Sequence, residues 1–238
     1  MLLTQLLSAQ QPRIYYTDYA KTINSISLSG NDDNVILTSF NNPTGISFYN
    51  DKLYISDDNL VNRTYRFNPD GNSGKIMHDE TDGAIKPSSV AGFNNELYFI
   101  DNNFIRKSDI NGENVIDILE LTSTPVNGKL QVIGNIIYWN AGSALRGVNI
   151  NGSGEFTVND NGTTFRGFWI DGDEIFYIVD SVIKKSFIDG SNETVLLSPS
   201  SPNLSSPIDL TVIDQRLYYT DTGSVSYTHL TLPTTPYV

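Results

Sequence analysis

Apolar and polar residues alternate in short runs along the whole chain, and the runs are separated by turns rich in Asn, Asp and Gly. Alternation over about four to eight residues is typical of strands with one buried face, whereas a period of about 3.6 residues indicates helices. A helical period is hard to find anywhere in this chain. The pattern therefore predicts an all-β protein, and 238 residues is a length that one all-β domain reaches.

A five-residue phrase recurs six times, and it consists of an apolar residue, Tyr, two variable residues and Asp. Its successive tyrosines are 39, 44, 40, 39 and 41 residues apart. This period is that of a four-stranded propeller blade. The fourth phrase has Ala141 where the others have aspartate. The phrase residues are Tyr15, Asp18, Tyr54, Asp57, Tyr98, Asp101, Tyr138, Tyr177, Asp180, Tyr218 and Asp221.

Each period also contains signals for three further strands. A short alternating run precedes the tyrosine strand and is joined to it by a polar turn such as Asn94-Asn95. The next strand ends in a turn such as Asn111-Gly112, and another apolar run follows. Such Asn-Gly pairs indicate tight primed hairpin turns, in which both central residues need positive φ. The sequence predicts a six-bladed β-propeller of four-stranded antiparallel blades, with the tyrosine strand innermost and the sixth blade truncated.

Composition narrows the choice of partner and cofactor. The chain has no cysteine, which excludes disulfides and thiolate metal sites. A net charge of −12 argues against nucleic acid or an anionic membrane surface as a partner. No apolar stretch is long enough to span a bilayer, so no membrane insertion is expected. His78 is the only histidine before the C-terminal tail, and it is predicted to lie in a solvated loop. No cofactor is predicted.

The two ends of the chain differ from the repeat. Residues 1–10 are apolar but lack the basic start of a signal peptide, and they are predicted to be the remainder of a blade strand. Residues from about Val225 onward are similar to one translated frame of a transposase adapter used for sequencing libraries. We therefore divide the chain into a propeller domain at 1–223 and a non-native tail at 224–238. A gap or an unfinished blade is expected between the sixth and first units.

The phrases resemble the YWTD repeat, the class B repeat of low-density-lipoprotein-receptor-type proteins. The best match is residues 207–223, which contain a strand, a turn, the motif Tyr218-Tyr219-Thr220-Asp221 and an exit glycine. Bacterial surface proteins with similar Tyr-rich propeller repeats match equally well. The resemblance implies a six-bladed propeller that binds a protein or peptide ligand outside the cell or on its surface. It also implies that the motif holds the blades together.

Repetition itself favours a structural role for the phrase residues. A residue that builds a blade is needed in every blade, whereas a catalytic residue is needed once. The tyrosine ring can fill the space between blades. The aspartate can accept hydrogen bonds from the following turn or face a basic residue a few positions on, such as Arg106. No catalytic, cofactor-binding or metal-ligating residue is predicted, and the ligand-binding residues are left open.

Three functions fit this fold. The first is a non-enzymatic recognition module that binds its ligand with the loops of one face. The second is an enzyme of the six-bladed hydrolase or lactonase type, with a divalent cation held in the central channel. The feature that distinguishes it is a non-repeating acidic residue that points into the channel among two or more amides. The third is an architectural spacer in a surface protein.

Overall fold

The computed structural model describes residues 3–5, 12–18, 20–58, 62–82, 86–122, 128–160, 162–201, 204–222 and 228–231. Nearly all regular structure in these ranges is β-strand, and the exception is one turn of 3-10 helix at Glu80–Asp82. No helix of the described residues has the length and apolar character needed to cross a membrane.

Five sheets have four antiparallel strands in chain order, and a sixth has three. The first contains β1 (Leu3–Gln5), β2 (Arg13–Thr17), β3 (Ile23–Ser27) and β4 (Asn34–Leu37). The second contains β5 (Pro43–Tyr49), β6 (Lys52–Asp57), β7 (Arg63–Phe67) and β8 (Lys75–His78). The third contains β9 (Pro87–Phe93), β10 (Glu96–Asp101), β11 (Phe104–Asp109) and β12 (Ile116–Glu120). The fourth contains β13 (Leu130–Ile133), β14 (Ile136–Ala141), β15 (Ala144–Asn149) and β16 (Phe156–Asp160). The fifth contains β17 (Phe165–Asp171), β18 (Glu174–Val179), β19 (Val182–Phe187) and β20 (Thr194–Leu197). The sixth contains β21 (Pro207–Ile213), β22 (Arg216–Asp221) and β23 (Thr228–Thr231). The prediction of an all-β propeller of four-stranded antiparallel sheets is confirmed.

The strand before the tyrosine phrase, rather than the tyrosine strand itself, lies innermost. Strand β5 packs against β9, and β9 packs against β13. A Cβ atom on Gly45 would lie 2.9 Å from Cα of Ser89, and one on Gly167 would lie 2.6 Å from Cα of Asp209. Small residues permit this close approach around the axis, whereas the large rings of the phrase need a neighbouring sheet to cover them. The prediction that the tyrosine strand is innermost is therefore wrong.

The turns divide between two faces of the propeller. Because the strands are antiparallel, the first and third turns of each sheet lie on one face, and the second turn lies on the other. Three first turns have positive φ at both residues, with values of 48° to 60° at Asn50-Asp51, Asn94-Asn95 and Asp214-Gln215. The third turns are longer. In Asn111-Gly112 the glycine alone has positive φ, at 86°, and its N–H donates to the Asp109 carbonyl at 3.0 Å. The prediction of primed two-residue turns at these Asn-Gly pairs is wrong.

The third-turn glycine also lets neighbouring sheets approach each other. In every four-stranded sheet, the pairing between the third strand and the outer strand shifts by one residue at the same point, as in a β-bulge. In β8 the extra residue is Met77, and a Cβ atom on Gly112 of the next sheet would overlap its carbonyl oxygen. Ile118 of β12 has the same relation to Gly152 of the fourth sheet. Glycine is thus needed in these third turns for two reasons, namely the positive φ and the close approach of the neighbouring sheet.

All six phrase tyrosines are buried, with at most 5% of their surface exposed. Tyr15 packs with Leu53 of the second sheet, and Tyr98 packs with Trp139 of the fourth. Burial and the carboxylate of Glu96, which accepts the Tyr98 hydroxyl at 2.7 Å, raise the pKa of Tyr98. The rings therefore belong to the clusters between adjacent sheets.

The first and sixth sheets are in direct contact. Tyr218 of the sixth sheet shares a buried cluster with Ile14 and Ile26 of the first. Its hydroxyl donates to the Leu28 carbonyl at 3.3 Å. No gap separates these units among the residues that the structure describes, so that alternative is wrong. The other alternative, an unfinished blade, stays a prediction, and the sixth sheet has three described strands. Of the tail, residues 228–231 pair with β22, and the rest lies outside the described residues.

Three phrase aspartates bind the segment that leads into their own sheet. Asp57 accepts N–H bonds from Asn41 at 3.0 Å and Asn42 at 2.6 Å. Asp221 accepts N–H bonds from Ser205 at 2.8 Å and Ser206 at 2.9 Å. These bonds join the end of the phrase strand to residues about fifteen positions earlier, which lead into the innermost strand of the same sheet. They are not made to the following turn, where the sequence placed them.

Asp101 makes the third contact of this kind, whereas Asp18 and Asp180 differ. Asp101 accepts the Lys86 N–H at 2.7 Å and forms an ion pair with Arg106, as the sequence anticipates. Asp18 accepts the Thr22 N–H of the following turn at 3.1 Å. Asp180 is exposed and has a φ of 47°. The aspartate position thus has one geometry in three sheets and varies elsewhere.

Asn140 supplies the missing acceptor in the fourth phrase. Its side-chain oxygen accepts the Lys129 N–H at 2.8 Å, so it also binds the segment that leads into its own sheet. Its amide also donates to the Arg166 carbonyl of the next sheet at 3.0 Å. The fourth phrase thus keeps a side-chain contact with this segment, at a different point from the aspartates of the other phrases.

We expect Asp101→Ala to lower the free energy of unfolding by roughly 1–3 kcal/mol, because the Lys86 N–H and Arg106 lose a buried acceptor. Asp180→Ala is the matched control, since Asp180 is exposed, and its effect should stay below about 1 kcal/mol. Urea denaturation of the two variants measures the difference. Equal losses would contradict a structural role for the buried carboxylate.

Candidate functional site

The innermost strands enclose a cavity of about 370 Å³ around the propeller axis. It is lined by residues of β5, β9, β13, β17 and β21 and the residues beside them. We call this cavity the cup. One end reaches Asn50, on the face of the first and third turns, and the other end reaches Lys129 and Asp209. Residues from five of the six sheets line the cup.

The inner end of the cup is formed by one repeat position whose chemistry changes from sheet to sheet. Gly45, Ser89, Lys129 and Asp209 each lie two residues before the residue that pairs with a phrase tyrosine. The repeat thus places glycine, serine, lysine and aspartate at equivalent points around the axis. Lys129 and Asp209 are unique to their sheets, unlike the residues of the phrase.

Lys129 and Asp209 form a buried ion pair across the channel. The Lys129 Nζ lies 2.5 Å from Oδ1 of Asp209 and donates to the Leu210 carbonyl at 2.9 Å. The same ammonium lies 5.6 Å from the centre of the Trp169 ring. The Asp209 side chain is 1% exposed. The pair joins the fourth and sixth sheets, which are not neighbours in the ring.

The other polar groups at this level are also engaged. The Gln131 amide donates to the Ile170 carbonyl at 3.1 Å and accepts the Ile170 N–H at 3.0 Å. It therefore bridges the inner strands of the fourth and fifth sheets like a backbone pair. Ser89 Oγ accepts the Leu130 N–H at 3.0 Å. What the cup wall offers to an occupant is mainly apolar surface.

The outer end of the cup is held by contacts between the second and third sheets. The Tyr49 ring lies directly over Gly92, where any Cβ atom would overlap it. Its hydroxyl accepts the Asn95 N–H at 2.9 Å, and the Asn50 and Asn95 amides are joined at 3.2 Å. These contacts join the second and third sheets at the rim of the cup, and the adjacent turns are exposed.

A ring of first turns surrounds the axis on this face, and we call it the turn ring. It consists of residues 50–51, 94–95, 134–135, 171–173 and 214–215. Its acidic side chains are exposed and form no hydrogen bond or ion pair with any residue that the structure describes; they are Asp51, Asp171, Asp173 and Asp214. The turn ring therefore presents four unoccupied carboxylates to solvent.

The aspartates of the third turns, farther from the axis, are occupied. The N–H groups of Glu113 and Asn111 donate to Asp109 and hold its pKa below the ordinary value. The Ser191 hydroxyl and N–H do the same for the pKa of Asp189. These carboxylates cap their own turns, whereas those of the turn ring are available to a partner.

The enzymatic alternative requires a non-repeating acidic residue in the channel with two or more amides around it. The channel contains such an acidic residue, but its neighbour is a lysine. Asp209 does not repeat and lines the cup, yet its carboxylate is paired with the Lys129 ammonium. The amide of Gln131 is bonded to the backbone of Ile170. Within the described ranges, no three His, Cys, Asp or Glu residues are grouped so that they could hold a metal ion.

The structure places His78 differently from the sequence prediction. His78 ends β8, is fully buried, and stacks on Phe99 with ring centres 4.2 Å apart. Its Nε2 is 2.9 Å from the Ser108 hydroxyl. The prediction of a solvated loop is wrong because the outer strand continues through this residue. His78 lies between the second and third sheets, away from the cup.

Sequence reasoning did not identify the residues of the cup. Lys129, Gln131, Trp169 and Asp209 do not belong to the repeated phrase. The signal was nevertheless present, because aligning the innermost strands on the phrase tyrosine shows lysine and aspartate where the second and third sheets have glycine and serine.

Comparisons with known proteins support the fold. No protein-family model matches the chain, and no curated protein matches its sequence. A chain in the crystal structure of a nidogen/laminin complex is similar, with a TM-score of 0.77, 13% identity, and coverage of 92% of this chain and 89% of that one. A computationally designed protein, Ika8, is similar with a TM-score of 0.57, 13% identity, and coverage of 91% and 66%. At such identities the likeness concerns the fold.

Proposed function

We propose that the chain is a binding module that recognises a protein or peptide partner with the face of the turn ring. The observation that carries the proposal is the set of four exposed carboxylates that no described residue occupies, around the open end of the cup. Rigid turns on a sheet scaffold are suited to recognition. The likeness to a chain solved in a nidogen/laminin complex supports this class of function.

We also propose how the chain is divided into blades and domains, and where the protein is located. The sixth sheet is taken as a sixth, truncated blade, with the propeller domain at 1–223 and a non-native tail at 224–238. The phrase residues serve as structural parts, which their burial and their contacts between sheets support. The YWTD-like phrase supports a place outside the cell or on its surface. Neither nucleic acid nor membrane insertion is part of the proposed function, which agrees with the charge of −12.

The proposed module is not an enzyme. Its channel holds an acid neutralised by a lysine, and both side chains are fully committed to each other and to the wall. This arrangement supports a structural use of the pair rather than a reactive one. The observations of the cup favour no second function over recognition.

The turn ring is tested by removing its charge. We expect the combined variant Asp51→Asn, Asp171→Asn, Asp173→Asn and Asp214→Asn to bind a partner at least about tenfold more weakly than the wild type. The partner is identified by mass spectrometry after capture from the secreted and surface fraction of the source organism, and is then purified for calorimetry. All four residues are exposed, so the melting temperature should change little.

A matched variant removes four charges from the opposite face. It carries Glu80→Gln, Glu120→Gln, Asp160→Asn and Asp180→Asn, all at exposed positions. We expect it to bind the partner as the wild type does. If the turn-ring variant captured the same proteins with the same affinity, the proposed binding face would be wrong.

A further inference from the structure

We infer that the cup receives one apolar side chain, aromatic or branched, from an exposed loop of the partner, and that lysine or arginine residues beside it contact the turn ring. This inference rests on the proposed function and adds the chemistry of the partner. Two independent features support it, namely the apolar wall of the cup and the unoccupied acids of its rim.

The wall of the cup favours an apolar occupant. Phe48, Val90, Leu130, Val132 and Trp169 line it. The polar side chains at its inner end are already hydrogen-bonded to one another or to the backbone. A polar ligand inserted there would lose its bonds to water without replacement, which is costly. An apolar side chain gains burial without that cost.

The size of the cup fits a side chain rather than a folded element. Its volume of about 370 Å³ lies at the low end of the range for small-ligand pockets. A single anchor in a well-packed pocket, surrounded by a charged rim, is the usual form of a binding hot spot.

The turn ring favours basic residues beside the apolar side chain of the partner. Asp51, Asp171, Asp173 and Asp214 are exposed, and the whole chain carries a charge of −12. Such a surface attracts cationic groups and speeds their association at low ionic strength. Positive φ at Asn50, Asp51, Asn94 and Asn95 fixes the turns before binding, so that little ordering is required.

The probe is a phage-displayed library of random twelve-residue peptides, selected on the immobilised full chain. We expect the enriched peptides to contain an aromatic or branched apolar residue flanked by Lys or Arg. Ser47 lines the cup and forms no side-chain bond within the described ranges, so Ser47→Trp would fill the cavity. Synthetic copies of the enriched peptides should bind this variant at least about tenfold more weakly than the wild type.

Two controls accompany the cup variant. Ser200→Trp adds the same bulk at an exposed position between the fifth and sixth sheets, and should bind the peptides as the wild type does. A cooperative thermal unfolding transition of Ser47→Trp shows that this variant is folded. If it does not fold, Ala91→Leu, also on the cup wall, replaces it. Affinity of the wild type should fall with added salt, and this dependence should be weaker in the turn-ring variant.

The outcomes separate this inference from the proposed function. Peptides without the apolar and basic pattern, unchanged binding to the filled cup, or no enrichment at all would each overturn the inference. If the captured partner still depended on the turn ring in those cases, the proposed function would stand. If the partner bound the turn-ring variant normally, the proposed function would fall, whatever the peptides did.

Discussion

Lys129→Met should lower the free energy of unfolding by about 3–5 kcal/mol, the cost typical of breaking a buried ion pair by removing one partner. Asp209 is 1% exposed, and its carboxylate would remain in the channel without the ammonium that neutralises it. Methionine retains much of the apolar volume of lysine, so that the loss reports on the charge more than on packing. Urea denaturation at neutral pH provides the measurement.

Two further variants test whether this loss of stability comes from the unpaired charge of Asp209. The double variant Lys129→Met with Asp209→Asn removes the uncompensated charge, and we expect it to regain more than half of the stability. Lys107→Met breaks the pair between Lys107 and Glu96, whose side chains are 25% and 33% exposed. A partly exposed pair of this kind contributes less than about 1 kcal/mol. If Lys129→Met cost no more than Lys107→Met, the pair would not be important for the closure of the channel.

Much of the fold could be predicted because it depends on local signals that recur. The phrase gives the period, and the turns between apolar runs give four strands in each period. The position of a strand within its sheet does not follow from these signals. It depends on close approach around the axis, as at Gly45 and Gly167, which involves residues far apart in sequence. Predictions from local pattern therefore found the strands but not which of them is innermost.

The candidate site could be predicted only in part for a related reason. Lys129 and Asp209 are 80 residues apart, and their pairing becomes visible only when the sheets close around the axis. The aspartates of the turn ring and those of the third turns both lie in polar turns between apolar runs. What separates them is whether a backbone N–H of the turn reaches the carboxylate, as at Asp109, and composition does not reveal that.

Substitution of a third-turn glycine gives the second large effect. Gly112 and Gly190 have nearly the same φ, at 86° and 81°, so alanine should cost each about 1–2 kcal/mol of backbone strain. Their surroundings differ, because a Cβ atom on Gly112 would overlap the carbonyl oxygen of Met77, whereas one on Gly190 would meet nothing within 4 Å.

Gly112→Ala should therefore destabilise the protein by at least about 2 kcal/mol more than Gly190→Ala, since the second and third sheets must move apart to admit the methyl group. The shared strain cancels in this difference, which isolates the contact between sheets. Thermal and urea denaturation of both variants measure it, and Gly152→Ala, which would overlap the Ile118 carbonyl oxygen, should behave like Gly112→Ala. Equal losses at Gly112 and Gly190 would mean that the third turn contributes through its own conformation alone, and that the outer strands do not depend on this contact for their packing.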